Sequence, residues 1–418
     1  MSDDSWSVAA DLVSSFLKKP ARMSHLQERI PSRWEPGRRR ACQSLLFGTV
    51  RHLRLLEKAL DEFLRKRPKP GLWSCLLVAS RELMEQPERS AKIVHNAVSQ
   101  IGGRYSKAEK GLANAVLRKV AKRLPELLAM EVSSPEDLAW RYSHPQWLVS
   151  RWLEQMGLEA TRAFLRWNQS EAGVFARWQG EPDVLPELTP LEERPGFFSL
   201  ESGAWEKISS YIEAGRLYVQ NPAASIAPRL LVESVRVGRF LDLCAAPGGK
   251  SLLMEKLAGA GVDEIVSVDL AGPRYQKMVG NFERYEAKRI KPLAADVFEL
   301  SAESRGLFDG VLLDAPCSNS GVLQHKIDAR WRQTPESLRS IVSLQGKLLA
   351  AASKLVKPGG SLVYSTCSID DEENAGVVDA FLQSEAGTCF MLERSERSLP
   401  WRDRMDGAGV FLLRKRLA

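Results

Sequence analysis

No apolar run in the 418 residues approaches the roughly 18–20 needed to cross a bilayer; the apolar stretches are short, as in Leu76-Leu77-Val78-Ala79. The opening Met1-Ser2-Asp3-Asp4-Ser5-Trp6 has neither the basic nor the apolar segment of a secretory signal, so a cytoplasmic protein without a membrane partner is expected. Cysteine is sparse. Cys42, Cys75, Cys244, Cys317, Cys367 and Cys389 are spread so widely that no Cys-x-x-Cys pair exists. A cytoplasmic protein keeps such residues as thiols. The five histidines are scattered without ligand spacing, so no structural metal is expected. Internal repeats and low-complexity tracts are absent. With 44% hydrophobic and 27% charged residues, the chain is neither disordered nor collagen-like.

What is present is unevenly charged. Residues 1–130 carry 25 Lys+Arg against 13 Asp+Glu, while the whole chain has 59 against 52. The entire positive surplus therefore lies in the first third. That surplus fits either a polyanion partner, most simply nucleic acid, or a solubilising basic surface.

Residues 5–130 read as helical. Leu53, Leu56, Leu60 and Leu64 recur at spacings of three and four, as do Ala97, Val98 and Ile101, and then Leu112, Val116 and Val120. Breaks at Pro68-Lys69-Pro70-Gly71 and at Gly102-Gly103 suggest a bundle of five or six helices. Residues 131–205, rich in tryptophan and then in Pro and Glu, form a small intermediate region, helical at first and then mixed. From about residue 206 strands and helices alternate. Strands are expected at Arg239–Cys244, Glu264–Val268, Phe308–Asp314 and Ser361–Thr366, with a short one before Asp296. The alternation implies βαβ units and a mostly parallel sheet, whose ligands bind at the carboxyl ends of the strands.

Three clusters fall at such ends. In Cys244-Ala245-Ala246-Pro247-Gly248-Gly249-Lys250, small residues after a first strand let a cofactor approach the backbone at a helix N-terminus. Asp269 ends the next strand, placed as a carboxylate that accepts ribose hydroxyls. A dinucleotide fingerprint is missing. A phosphate loop would need glycine where Cys244 stands, although Gly249-Lys250-Ser251 supplies its final residues. A cofactor with a ribose and no phosphate fits better, with S-adenosylmethionine the obvious one; a tight turn without ligand is the bland reading. Asp296, after its short strand, is placed to meet an adenine or to be a surface loop acid. The other clusters are Asp314-Ala315-Pro316-Cys317-Ser318 and Ser365-Thr366-Cys367-Ser368. Free cysteines are commonly core fillers. Two at the ends of neighbouring strands beside a cofactor loop instead suggest a thiolate that attacks C6 of a cytosine, making C5 nucleophilic toward a sulfonium methyl donor. A second group then removes the C5 proton so that the enzyme can leave.

At these residues the sequence resembles the Sun/Nop family of RNA (cytosine-5) methyltransferases, and within it the bacterial members acting on small-subunit ribosomal RNA. Leu241–Ser251 is similar to the family's cofactor loop, the two cysteine clusters with Glu372-Glu373-Asn374 to its cysteine motifs, and Tyr218–Ala224 to the opening of its catalytic domain. Ser44–Arg51 and Gly111–Arg118 resemble the NusB-like RNA-binding domain of that subgroup. The resemblance implies an α/β fold, with a Rossmann-like S-adenosylmethionine-dependent domain at 206–418 preceded by an all-α NusB-like domain at 1–130. It implies Cys367 as nucleophile, Cys317 as the cysteine assisting release, and cofactor contacts from residues 244–250, Asp269, Asp296 and Asp314. Lys250 and Asp314 also sit where they could meet the cytosine's polar edge. Ribosomal RNA is the implied partner and a monomer the expected state. DNA cytosine-5 methyltransferases use the Pro-Cys cysteine as nucleophile, so spacing alone does not assign the roles. The chain departs from the family pattern at Asn221 (usually Asp), Ser320 (commonly Thr), Arg177-Trp178-Gln179 (usually Arg-x-Asn) and Asp406–Phe411. The competing readings are a NusB-type RNA-binding protein with a degenerate methyltransferase domain and a P-loop NTPase.

Overall fold

The computed structural model of the protein describes residues 4–201 and 203–417. The chain divides into two compact units. The first runs to Ser170 and takes in Leu323–Gln333; the second comprises Glu171–Val322 and the residues from Thr334 onward.

The first unit is helical. Up to residue 130 it holds seven α-helices among the described residues, one more than the five or six expected; Met23–Gln27, at five residues, is too short to stand out by periodicity. Asp4 accepts backbone N–H groups at the start of Ser5–Lys18, and Ser106 with Glu109 forms a capping box for Lys107–Ala129. Leu46, Leu56, Leu76, Leu77 and Leu117 are fully buried and build the core. Helices Pro135–Arg141 and Gln146–Gln169 complete the bundle, the second kinked where Gly157 takes φ 77°. The segment Leu323–Gln333 is fastened into this unit. Buried Arg330 donates to the carbonyls of Ser143, Asn168 and Leu323 at 3.0–3.3 Å, and the Trp331 indole donates to Val50 O at 3.2 Å.

The second unit opens with a small antiparallel sheet of β1 (Val174–Trp178), β2 (Leu188–Pro190), β3 (Phe197–Leu200) and β4 (Leu217–Val219), in the order β2-β3-β1-β4. A seven-stranded sheet follows: β5 (Gly238–Leu243), β6 (Val262–Asp269), β7 (Ile290–Ala294), β8 (Phe308–Asp314), β9 (Val356–Thr366), β10 (Phe390–Ser398) and β11 (Ala408–Lys415). Its order is β10-β11-β9-β8-β5-β6-β7. Strands β5 to β9 pair in parallel; β11 runs antiparallel to β9 and to β10. Alternate residues supply two cores. Phe240, Leu312 and Val363 face one layer, while Leu241, Leu313 and Tyr364 face the other. This is the expected architecture, a Rossmann-like α/β sheet preceded by an all-helical region. The order reverses between β5 and β8, which places a crevice at the carboxyl ends of those strands.

Candidate active site

The loop leaving β5 is built by backbone geometry. Cys244 takes φ 61° and Gly248 takes φ 93°, a left-handed conformation at the N-cap of helix Gly249–Ala258. A Cβ on Gly248 would lie 2.5 Å from the Phe282 ring. Ala245 N–H donates to Val268 O at 2.9 Å, which folds the loop against the end of β6. Asp269 reinforces this fold: its Oδ2 accepts from Ala246 N–H and its Oδ1 from Leu270 N–H, both at 2.9 Å. Arg274 donates to Ala246 O at 2.6 Å and Asn281 to Pro247 O at 2.8 Å. Asp296 follows β7 and caps a single turn through Phe298 N–H at 3.0 Å. Asp269 and Asp296 thus stand beyond the carboxyl ends of neighbouring strands, beside the loop.

The phosphate-loop reading fails here. The side chain of Ser251 is fully buried and donates to Asp242 Oδ2 while accepting from Ser267 at 2.9 Å, so it is not presented to a nucleotide. Burial pushes the Asp242 carboxyl up to about 7, against the pull of the Ser251 hydrogen bond.

Lys250 turns away from the loop backbone. Its ammonium donates to Asp314 Oδ2 at 2.7 Å, and Ser365 Oγ donates to Asp314 Oδ1 at 3.0 Å. Burial pulls the Lys250 ammonium down, and the Asp314 carboxylate outweighs it, so the net shift is upward. Lys250, Asp314, Ser365, Thr366 and Cys367 line a cleft together with Asn221 and Asp406–Ala408.

The register of β8 on β9 pairs Asp314 with Ser365, so the two loops that follow leave the sheet side by side. Cys317 and Cys367 meet there, Sγ to Sγ at 3.0 Å, with neither in a disulfide. The hydrogen bond with Cys367, followed by burial, holds the Cys317 thiol well above its ordinary range. Asn319, at φ 65°, donates to Cys317 O at 2.9 Å and lies 3.5 Å from Cys367 Sγ. Gly321 N–H donates to Cys367 O at 3.0 Å, and a Cβ on Gly321 would sit 2.7 Å from Gly407 Cα, so only glycine lets these backbones meet.

The departures from the family pattern keep their polar atoms in use. Asn221 Oδ1 accepts from Ala223 N–H at 3.1 Å and from Asp406 N–H at 3.0 Å, the work of a carboxylate oxygen. The Ser320 hydroxyl accepts from Ile369 N–H at 3.1 Å. Gln179 accepts from the buried Arg177, whose guanidinium also donates to Gly249 O at 3.2 Å and so ties β1 to the cofactor loop. Burial pulls the Arg177 guanidinium down to about 10. Sequence reasoning missed this role of Arg177, and it missed the buried polar residues behind the two cysteines. The available signals were the Arg-x-Asn pattern at Arg177 and Glu373-Asn374 following the second cysteine cluster, and neither says what its residues touch.

Comparison with known proteins agrees with this geometry. The sequence model of the family described as "16S rRNA methyltransferase RsmB/F" matches residues 230–397, and that of the "NusB family" matches residues 7–122. The Thermus thermophilus ribosomal RNA small subunit methyltransferase B is 34% identical over 364 residues, covering 84% of this chain and 80% of that protein. Its Serratia proteamaculans counterpart is 27% identical over 444 residues, covering 97% and 96%. Among solved structures, PH0851 superposes with a TM-score of 0.74 over 99% of this chain and all of its own, at 24% identity. NSun6 from Pyrococcus horikoshii, solved with SFG, gives 0.53 over 65% of this chain and 98% of its own, at 18% identity. These two likenesses speak for the fold.

Proposed function

The chain belongs to the 16S rRNA methyltransferase RsmB/F family, and from that membership we propose that it methylates C5 of a cytosine in small-subunit ribosomal RNA through a covalent adduct on Cys367. The observation that carries this reading is the contact of Cys317 and Cys367 beside the Lys250–Asp314 pair. S-adenosylmethionine, when bound, supplies the methyl group. The chemistry of the donor set suits it: a glycine-capped helix start, the carboxylates Asp269 and Asp296, and a crevice at the reversal of strand order. Cys244–Lys250, Asp269, Asp296 and Asp314 are the residues proposed to hold it.

The chain's own groups account for the remaining steps. At rest the proton of the thiol pair is held on Cys317, because its bond to Cys367 and its burial both disfavour ionisation there. Cys367 attacks as thiolate, forming a bond to C6 and moving the electron pair to C5. Attack converts Cys367 into a neutral thioether. That removes two of the influences that held Cys317 as a thiol, its hydrogen bond and its neighbour's charge. Cys317 then loses its proton to solvent and takes the proton from methylated C5, and Cys367 leaves as thiolate. Lys250 and Asp314 line the same cleft and are the groups proposed to meet the cytosine's polar edge. The base must be unstacked to reach them. Residues 1–130 are proposed as the RNA-binding domain.

The test is nucleoside analysis of unmodified small-subunit ribosomal RNA incubated with the protein and S-adenosylmethionine. Appearance of 5-methylcytidine is expected; methylation at any other atom overturns the reading.

A further inference from the structure

We propose that Glu373 is a positioning residue that clasps the two cysteine loops together and so sets the distance between the thiols. The proposal rests on the two-thiol reading of the site.

Glu373 is fully buried, and its carboxylate accepts hydrogen bonds on both oxygens. Oε2 accepts from Ser318 N–H at 2.8 Å, and Ser318 is the residue that follows Cys317. Oε1 accepts from Ser368 Oγ at 2.6 Å, and Ser368 is the residue that follows Cys367. One carboxylate therefore spans the two positions next to the two sulfurs. Gln345, on the helix Pro335–Ser353, donates to Glu373 Oε2 at 3.0 Å and to Pro316 O at 2.9 Å, bracing the residue that precedes Cys317. From the other side, the Tyr364 hydroxyl donates to Glu373 O at 2.7 Å, fixing the backbone of the clasp to β9. Between the loops, the Ser368 hydroxyl lies 3.4 Å from that of Ser318 and 2.8 Å from that of Ser320. Charge-assisted bonds to a buried carboxylate are about twice as strong as neutral ones. Asp370 Oδ2 faces the hydroxyls of the same two residues at the longer distances of 3.5 and 3.3 Å, so Glu373 makes the shorter link between them. Burial and Asp370 push the Glu373 carboxyl up, so its charged form leans on the Ser318, Gln345 and Ser368 donors. The same charge is among the influences that keep Cys317 a thiol.

A clasp needs shape and hydrogen bonds more than charge. A glutamine at this position keeps its carbonyl toward Ser318 N–H and turns its amide to Ser368, whose hydroxyl can reverse and accept. An alanine loses both arms. The spacing of the thiols can be read without any RNA, using phenylarsenoxide. It joins two neighbouring thiols by forming two As–S bonds and releasing one water.

The experiment measures the rate of phenylarsenoxide capture by mass spectrometry in the wild-type chain, Glu373→Ala and Glu373→Gln, with kcat and KM for RNA determined alongside. Capture and kcat are expected to fall about tenfold or more in the alanine variant, the scale of one lost charge-assisted bond. KM is expected to hold, and glutamine to restore most of both. Wild-type capture in the alanine variant overturns the proposal, as does a glutamine variant as defective as alanine. Should the alanine variant not fold, Ser368→Ala removes a single arm and must slow capture severalfold; unchanged capture then overturns it. If wild-type protein captures the arsenoxide but makes no 5-methylcytidine, the functional reading has failed and the clasp stands.

Discussion

Asp242 carries a cost that its neighbours only partly offset. Its carboxyl is buried under the cofactor loop and pushed up to about 7, whereas an unfolded chain ionises it near 3.8. Below pH 4 both states hold the proton. As pH rises toward 7 the unfolded state releases it first, so the stability this group contributes declines and is lost once pH passes about 7. Asp242→Asn keeps an acceptor for Ser251 and removes the titration. Its melting temperature should fall less between pH 5 and 8 than that of the wild type; equal slopes would contradict the burial argument. Asp269 is a different case, since its oxygens hold the loop through Ala246 and Leu270. Asp269→Ala should weaken S-adenosylmethionine binding by about 10- to 100-fold, the worth of a charged acceptor. Calorimetry showing an unchanged Kd would remove Asp269 from the site. At this scale the sequence was informative because cysteine, proline and paired glycines at strand ends have few other uses. Glu373 and Arg177 fell within stretches compared with the family's motifs, but their roles were not legible, because a buried polar residue is defined by partners that the chain brings from elsewhere.

Among elements, the junction of β5 with the helix Gly249–Ala258 is the most demanding. Gly248 combines a left-handed backbone with close contact to Phe282. Gly248→Ala should cost about 1–2 kcal/mol for the backbone alone, with more from the displaced ring. Thermal melting should show the loss together with weaker cofactor binding, and a variant that matches wild type in both would refute the assignment. Strands β5, β6 and β8 could be read from their apolar runs to within two residues, while β9 starts five residues before the expected Ser361 and β7 was expected only as a short strand before Asp296. The small sheet β1–β4 could not, because its strands are three to five residues long and set among Pro and Glu. Nor could β10, which carries Glu393, Arg394, Glu396 and Arg397 and is held as an edge strand by its ladder with β11. Such a sequence has no apolar alternation to announce it.

For the whole molecule, the basic surplus of the first third predicts electrostatic RNA binding. Affinity should fall linearly with salt on a double logarithmic plot, by roughly 0.7 for each neutralised phosphate on single-stranded RNA. Replacing the exposed Arg38 and Arg40 with glutamine should make that slope shallower without altering cofactor affinity. An unchanged slope would place RNA elsewhere. Substitution is a cleaner test than truncation, because buried Arg330 and half-buried Trp331 pack in the helical unit and would lose their partners with it. That packing of Leu323–Gln333 was invisible in the sequence, where the segment lies between two parts of the catalytic sheet.

The measurement that bears most directly on the central claim follows the protein–RNA adduct through denaturing electrophoresis, using Cys317→Ala and Cys367→Ala chains with S-adenosylmethionine and target RNA. If Cys367 attacks C6 and Cys317 serves release, the Cys317→Ala chain accumulates a denaturation-resistant adduct and the Cys367→Ala chain forms none and transfers no methyl group. An adduct on Cys367→Ala with none on Cys317→Ala would contradict the assignment and exchange the two roles.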